Sequence, residues 1–444
     1  MYAIDLFCGA GGMSEGIIQA GFHILFSNDI SEDVAKTYIN RHKSLGLIQN
    51  ENTYFHLGDI RNLTGDFVWN CINSLKIFNS GDLQVPTQID AIFGGPPCQG
   101  FSRAGKRDSN DPRNLLFKEY LRVIQQITPR YVVMENVEGF NDTYFEDFSG
   151  INGRKYEGKV PAPEILIAEF SMIGYNVLPP KVLDASDFGV PQRRKRAIFI
   201  AYRKGEHIPQ YPMPTHLNEQ KVTVQDALGD LIVDKNIRKK VNPQKTAYQI
   251  QSQNGRTKDK QGSPISTSRF FNNELSKHLP QTKERFALFN EGEDGNDLKK
   301  RIIEKGINLK KYPHLLSMCC KQLNTDENEV LMKFSKAPVD IELVETLLTK
   351  KNMRTKIKRN TPAPTVVTLP DDYISPFENR IFSVRELARL QSFDDSFVFL
   401  SKRTTGGPRR KTEVPQYTQV GNAVPPLLSK AIAIQIANAI KGID

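Results

Sequence analysis

Tyr2-Ala3-Ile4-Asp5-Leu6-Phe7-Cys8-Gly9-Ala10-Gly11-Gly12-Met13-Ser14-Glu15-Gly16 begins as a short apolar run and breaks into glycines before helix-forming residues return. A strand, a glycine turn and a helix in that order form the first unit of a β-α-β chain. Glycines at such a turn let the backbone approach a ligand and accept positive φ. Asp29 stands eighteen residues past Gly11, at the end of the second expected strand, where a carboxylate can accept hydrogen bonds from ribose hydroxyls. Asp59, in Gly58-Asp59-Ile60, follows a third run at Tyr54–Leu57 and is placed to accept from an adenine amino group. The spacing Gly-x-Gly-Gly departs from the dinucleotide pattern Gly-x-Gly-x-x-Gly. On these residues alone a nucleoside cofactor, a dinucleotide and a turn with no ligand all remain open.

Outward from this unit the rhythm repeats. Apolar runs at His23–Phe26, Asp90–Phe93, Tyr131–Met134 and Ala197–Tyr202 alternate with helical spacing at Leu115–Ile127 and Pro163–Met172. The alternation predicts an α/β fold around a mostly parallel sheet. Residues 209–372 lose it among Pro, Gln, Asn and Lys clusters, and Gln251–Ser268 reads as the most flexible stretch. Helical periodicity returns at Val384–Phe393 and Leu427–Ile440. The first strand begins at residue 2, so the last helix is expected to come back and cover its side of the sheet.

Charge separates the same regions. The chain has 444 residues and a net charge of +10. Residues 203–372 hold 30 Lys+Arg and 21 Asp+Glu, leaving a net of only +1 elsewhere. One basic segment on a neutral scaffold suits a local grip on a polyanion, although a merely solvated lysine-rich face has the same composition. No apolar run reaches the roughly 18 residues that span a bilayer, and the start lacks the pattern of a signal peptide. Five cysteines without a Cys-x-x-Cys pair suit a reducing cytoplasm, and no cluster has metal-ligand spacing.

Three further features bear chemistry. In Gly94-Gly95-Pro96-Pro97-Cys98-Gln99, two prolines stiffen the approach to Cys98 at the ligand edge of the sheet. Glu135-Asn136-Val137 ends the fifth strand, where a partly desolvated carboxyl group could stay protonated as an acid. In Gln192-Arg193-Arg194-Lys195-Arg196, strand alternation puts Gln192, Arg194 and Arg196 on one face. Burying two guanidinium groups there calls for anionic or carbonyl partners.

Together with Arg385-Glu386-x-x-Arg389-Leu390-Gln391-Ser392-Phe393 and Gln419-Val420-Gly421-Asn422-Ala423-Val424-Pro425-Pro426, these blocks resemble the DNA (cytosine-5-)-methyltransferases, in the family's order. The departures are Pro96 where Phe is frequent, Asp394 where Pro is common, and Ser375-Pro376 in place of His-Pro. The resemblance implies a Rossmann-like class I S-adenosylmethionine-dependent sheet. Its expected parts are a catalytic and cofactor-binding domain (1–208), an inserted target-recognition domain (209–372) and a return to the first domain (373–444). The implied activity is methyl transfer to C5 of a flipped-out cytosine in a specific duplex sequence, through a covalent bond from Cys98 to C6.

By the same resemblance Glu135 acts on N3 of the ring, Arg196 holds O2, and Arg194 supports the cysteine and the pocket. S-adenosylmethionine, leaving as S-adenosylhomocysteine, would be held by Phe7, Gly9, Gly12, Asp29, Ile30, Asp59, Ile60, Pro97, Leu116 and Asn422. No metal is implied. Gly100–Arg113 reads as a loop closing over DNA, and basic residues in Lys235–Lys245, Arg256–Lys260 and Lys350–Arg359 as phosphate contacts. The expected setting is a cytoplasmic, monomeric restriction–modification enzyme acting on double-stranded DNA, with a separate endonuclease and no membrane. Three rivals are a tRNA-directed relative, a silent DNA-binding protein on the same fold and a nicotinamide-dependent oxidoreductase. The sequence disfavours them by the absent Cys-Phe-Thr block, the intact Cys98, Glu135 and Arg196, and the cysteine block with its basic insert.

Overall fold

A computed structural model of the chain describes residues 1–79, 83–97, 116–349 and 351–443, and the side chains of Arg410 and Lys411 are outside the description. Cys98 and the expected loop Gly100–Arg113 therefore lie outside the described residues.

The strands are β1 (Tyr2–Leu6), β2 (His23–Asp29), β3 (Tyr54–Leu57), β4 (Ala91–Gly94), β5 (Tyr131–Val137), β6 (Tyr144–Ser149), β7 (Lys155–Pro161), β8 (Tyr175–Val177), β9 (Lys181–Asp184), β10 (Lys195–Arg203), β11 (Thr355–Lys356) and β12 (Tyr373–Ile374). Eight of them form one sheet in the order β3-β2-β1-β4-β5-β10-β8, with β9 also paired to β10. β1 to β5 run parallel, while β10 is antiparallel to β5. The strand order reverses between β1 and β4, so the crevice beyond their carboxyl ends is where such a sheet binds ligands.

Both faces of the sheet are covered, which is why its strands read as nearly continuous apolar runs. Along β1, Ile4 and Leu6 enter the core shared with helices Gly65–Asn73, Leu116–Ile127 and Ala162–Met172. Ala3 enters the opposite core, where helix Gly12–Gln19 meets the C-terminal helix Pro426–Lys441. The Ser429 hydroxyl donates to the Met13 carbonyl at 2.8 Å. The last helix thus packs beside the first and covers this face of β1. The hairpin β6–β7 and the short edge strands β8 and β9 escaped the sequence reading, because their alternation is brief and half-exposed.

Residues 209–372 are mainly short helices in two packing groups. Val224–Leu228 and Tyr248 share a core with Val384–Leu390, Phe393, Phe397 and Phe399. Residues between Phe286 and Leu347 form another core with Ile374 and Ile381. Gln251–Ser268, expected to be the most flexible stretch, is instead docked. It begins in helix Ala247–Asn254, Asp394 caps the backbone N–H groups of Arg256 and Thr257, and Lys260 N donates to Leu45 O. Polar composition suggested mobility, whereas buried long-range hydrogen bonds hold the segment. Among the described residues no single helix is long and apolar enough to cross a membrane.

Candidate active site

A cavity of about 740 Å³ opens beyond the carboxyl ends of β1, β2, β4 and β5. Its wall includes Phe7, Gly9, Asp29, Ile30, Asp59, Ile60, Pro97, Leu116, Glu135, Arg194, Arg196 and Asn422. This volume lies within the usual range for small-molecule sites.

The β1 turn is tightly built. Phe7 adopts φ 56°, the left-handed region that a bulky side chain rarely occupies, and Gly9 follows at φ 54°. Such strain persists where surrounding contacts hold it and clusters at ligand sites. A Cβ on Gly9 would meet no atom within 4 Å, so this glycine faces open space. Gly12 differs: it lies beside the cavity wall, and a Cβ there would collide with the Val424 carbonyl, Ala423 and Phe393. Close packing of the first helix on the returning chain accounts for Gly12.

Asp29 ends β2, and Ser31 then caps helix Glu32–Ser44. The Asp29 carboxylate accepts from Gly9 N at 3.0 Å and Ser31 N at 2.9 Å. Burial raises its pKa against the pull of these N–H groups. Asp59 caps the short turn Ile60–Asn62 and is paired with Arg61, whose hydrogen bonds hold the Asp59 carboxyl below its ordinary range. That partner was not anticipated, and it competes with any ligand amino group. Ile60 is buried, whereas Ile30 is 66 % exposed at the cavity mouth. Two apolar residues flanking the cavity, one bare to water, suit the faces of a planar guest.

On the other side, Glu135 and Arg196 form an ion pair at 2.6 Å. The partly desolvated carboxyl group expected at the end of β5 thus has a guanidinium partner. Arg194 is 3 % exposed and donates to Val366 O at 3.1 Å and Gly421 O at 2.9 Å. Burial, with Arg196 beside it, pushes the Arg194 guanidinium pKa well below its ordinary value. Gln192 is also buried: it donates to Leu390 O and accepts from Val366 N. These bonds tie the residues just before β10 both to the end of the insert and to the returning chain, and they bring Thr365, Val366 and Thr368 into the wall. The run Pro362-Ala363-Pro364-Thr365-Val366-Val367 resembles the end of the family's recognition region, yet nothing in it marked Thr365, Val366 or Thr368 as cavity residues.

The family model described as C-5 cytosine-specific DNA methylase matches residues 1–438. The chain is 30 % identical to the Type II methyltransferase M.DdeI of Desulfomicrobium norvegicum, covering 98 % of this chain and 88 % of that protein. It is 32 % identical to the Type II methyltransferase M1.HphI of Haemophilus parahaemolyticus, covering 97 % and 85 %. Its fold is similar, at TM-score 0.60 and 23 % identity, to a prophage-encoded E. coli protein described as a DNA modification methyltransferase, over 99 % of both chains.

Proposed function

Since the chain belongs to the C-5 cytosine-specific DNA methylases, an S-adenosylmethionine-dependent family of DNA cytosine-5-methyltransferases, we propose that it methylates a cytosine extruded from a specific duplex sequence through a covalent bond from Cys98. The observation that carries this reading is one cavity with two chemically different halves. The half at β1, β2 and β3 has open backbone at Gly9, a carboxylate at Asp29 and apolar flanks at Ile30 and Ile60. These residues fit a nucleoside bearing an amino-acid tail. The half at β4, β5 and β10 carries the Glu135–Arg196 pair beside Pro96 and Pro97, which lead directly to Cys98.

When bound, S-adenosylmethionine supplies a methyl group made electrophilic by its sulfonium. In our reading Phe7, Ile30 and Ile60 flank its purine, Asp29 accepts from the ribose, and Asp59, Pro97, Leu116 and Asn422 complete the enclosure. Gly12 serves this half indirectly, by seating the first helix.

Cytosine C5 is a poor nucleophile until a thiolate adds at C6, and Cys98 is placed in the chain to do so. As Cys98 adds, electron density moves toward N3 and O2. Glu135 meets N3 with a proton or hydrogen bond, and Arg196, held by Glu135 at the correct depth, meets O2. Preorganised groups of this kind act most strongly where water is excluded. Once C5 has taken up the methyl group, its proton leaves to solvent, the C5–C6 double bond re-forms and the bond from C6 to sulfur breaks, returning Cys98 as a thiolate. Arg194, anchored on two carbonyl oxygens, keeps this wall in register. A paired base cannot present C6 to a protein thiol, so the base must leave the stack.

Residues 209–372, with most of the net charge, are proposed as the recognition region, and 1–208 with 373–444 as the catalytic part. The relatives named as Type II methyltransferases support a restriction–modification setting; in our reading a separate endonuclease reads the same sequence and this chain acts as a cytoplasmic monomer. Incubation with duplexes bearing 5-fluorocytosine, followed by denaturing electrophoresis, tests the proposal. An adduct lost in Cys98→Ser is expected, and no adduct across a library of all short contexts would refute it. Bisulfite sequencing of DNA from expressing cells then reads the target.

A further inference from the structure

Glu15 lies one turn into the helix that leaves the glycine turn, and it is buried. Its carboxylate accepts from Arg41 Nε at 2.7 Å and Nη2 at 2.9 Å, and from the hydroxyl of Thr257, which belongs to the basic insert. Gln19, on the same helix, donates to the Thr257 hydroxyl at 2.9 Å. Asp394 holds Thr257 from the other side, accepting from Thr257 N at 3.1 Å, Arg256 N at 2.6 Å and Arg256 Nη1 at 2.7 Å. Thr257 is fully buried and Asp394 is 2 % exposed.

Two ion pairs, Glu15–Arg41 and Arg256–Asp394, thus clasp one residue of the insert between the first helix and the returning chain. Buried charges tolerate little displacement, because separating a partner leaves a desolvated ion. A helix is stiff, and Glu15 N donates to Gly11 O at 3.0 Å, so a shift at Glu15 reaches the turn that walls the cavity. The residue that forces this geometry is Asp394, where proline is common in the family.

We propose that Thr257 is a positioning residue through which the insert sets the glycine turn, so that cofactor and DNA strengthen each other's binding. The idea rests on the assignment of the cavity to S-adenosylmethionine and of the insert to DNA. Thr257 touches neither ligand; it acts through Glu15.

The test measures S-adenosylhomocysteine affinity of the full chain by titration calorimetry, with and without a saturating duplex carrying the methylated sequence. Wild type should bind at least about 5-fold tighter with duplex, the low end of ordinary linkage. Thr257→Val should bring the ratio to within twofold of one, and Thr257→Ser, which restores the hydroxyl, should keep it. Should Thr257→Val not fold, Gln19→Met takes its place, with a reduced ratio expected. A full ratio in the variant, or a wild-type ratio near one, overturns the proposal. A wild-type protein binding neither ligand would instead refute the assignment beneath it.

Discussion

Arg196 reaches Glu135 across antiparallel strands, with Nε 2.6 Å from Oε1 and each side chain 12 % exposed. The register sets Ile198 opposite Glu135 and Arg196 opposite Val137, so the pair is diagonal and shares one face of the sheet. The pair sits where that face ends at the cavity wall. Glu135→Gln keeps the shape and removes the charge. Single-turnover methyl transfer should fall about 10²- to 10⁴-fold, the usual weight of a positioned acid or base. S-adenosylhomocysteine affinity should stay within threefold, because Glu135 belongs to the other half of the cavity; a loss of affinity with turnover preserved would count against this division.

Replacing Cys98 by serine separates binding from chemistry. Cys98→Ser should abolish methyl transfer while duplex affinity in a mobility-shift assay stays largely intact, since in our reading the affinity comes from the basic insert. Turnover surviving in this variant would remove Cys98 from its role.

Two glycines of one turn should fail differently. Gly12→Ala drives a methyl group into the Val424 carbonyl, a backbone atom with little room to retreat. About 1–3 kcal/mol of stability should be lost, read from urea denaturation. Gly9→Ala meets no atom, so its cost is the positive φ, about 1–2 kcal/mol, plus a methyl group projecting into the cavity. The distinguishing measurement is cofactor affinity, which should fall more in Gly9→Ala than in Gly12→Ala.

His42 is buried, stacked on Tyr38 with ring centroids 3.9 Å apart, and its Nε2 has no partner. Burial pushes its pKa down to about 3 from an ordinary 6.5. The unfolded chain therefore takes up a proton below pH 6.5 that the folded chain refuses, so this site's stability is intact above pH 6.5 and erodes toward pH 3. The slope is at most about 1.4 kcal/mol per pH unit. His42→Phe should lose less stability than wild type between pH 7 and pH 5, measured by urea midpoints. Parallel losses in both proteins would contradict the sign.

Much of the fold was legible because its signals are local. Parallel strands buried on both faces appear as apolar runs, and glycine turns mark where they end. Asp29 stood out because it follows the glycine turn by eighteen residues and closes the second apolar run, where a carboxylate can accept from ribose hydroxyls. Asp394 shows the opposite case. It looked like an unimportant departure from a family pattern, and nothing in its neighbours hints that it grips Arg256 and Thr257. The left-handed Phe7 was equally hidden, since no residue type announces a strained φ when it is not glycine.

The order of residue types along the chain determined the alternation of strands and helices, the acid at the end of one strand and the basic insert, because burial period and turn chemistry act over a few residues. Only the tertiary structure decided that Arg196 would pair with Glu135, and that Thr257 would reach Glu15 across 242 positions. Such meetings depend on strand register and on how distant segments pack, and no local run of sequence carries that information.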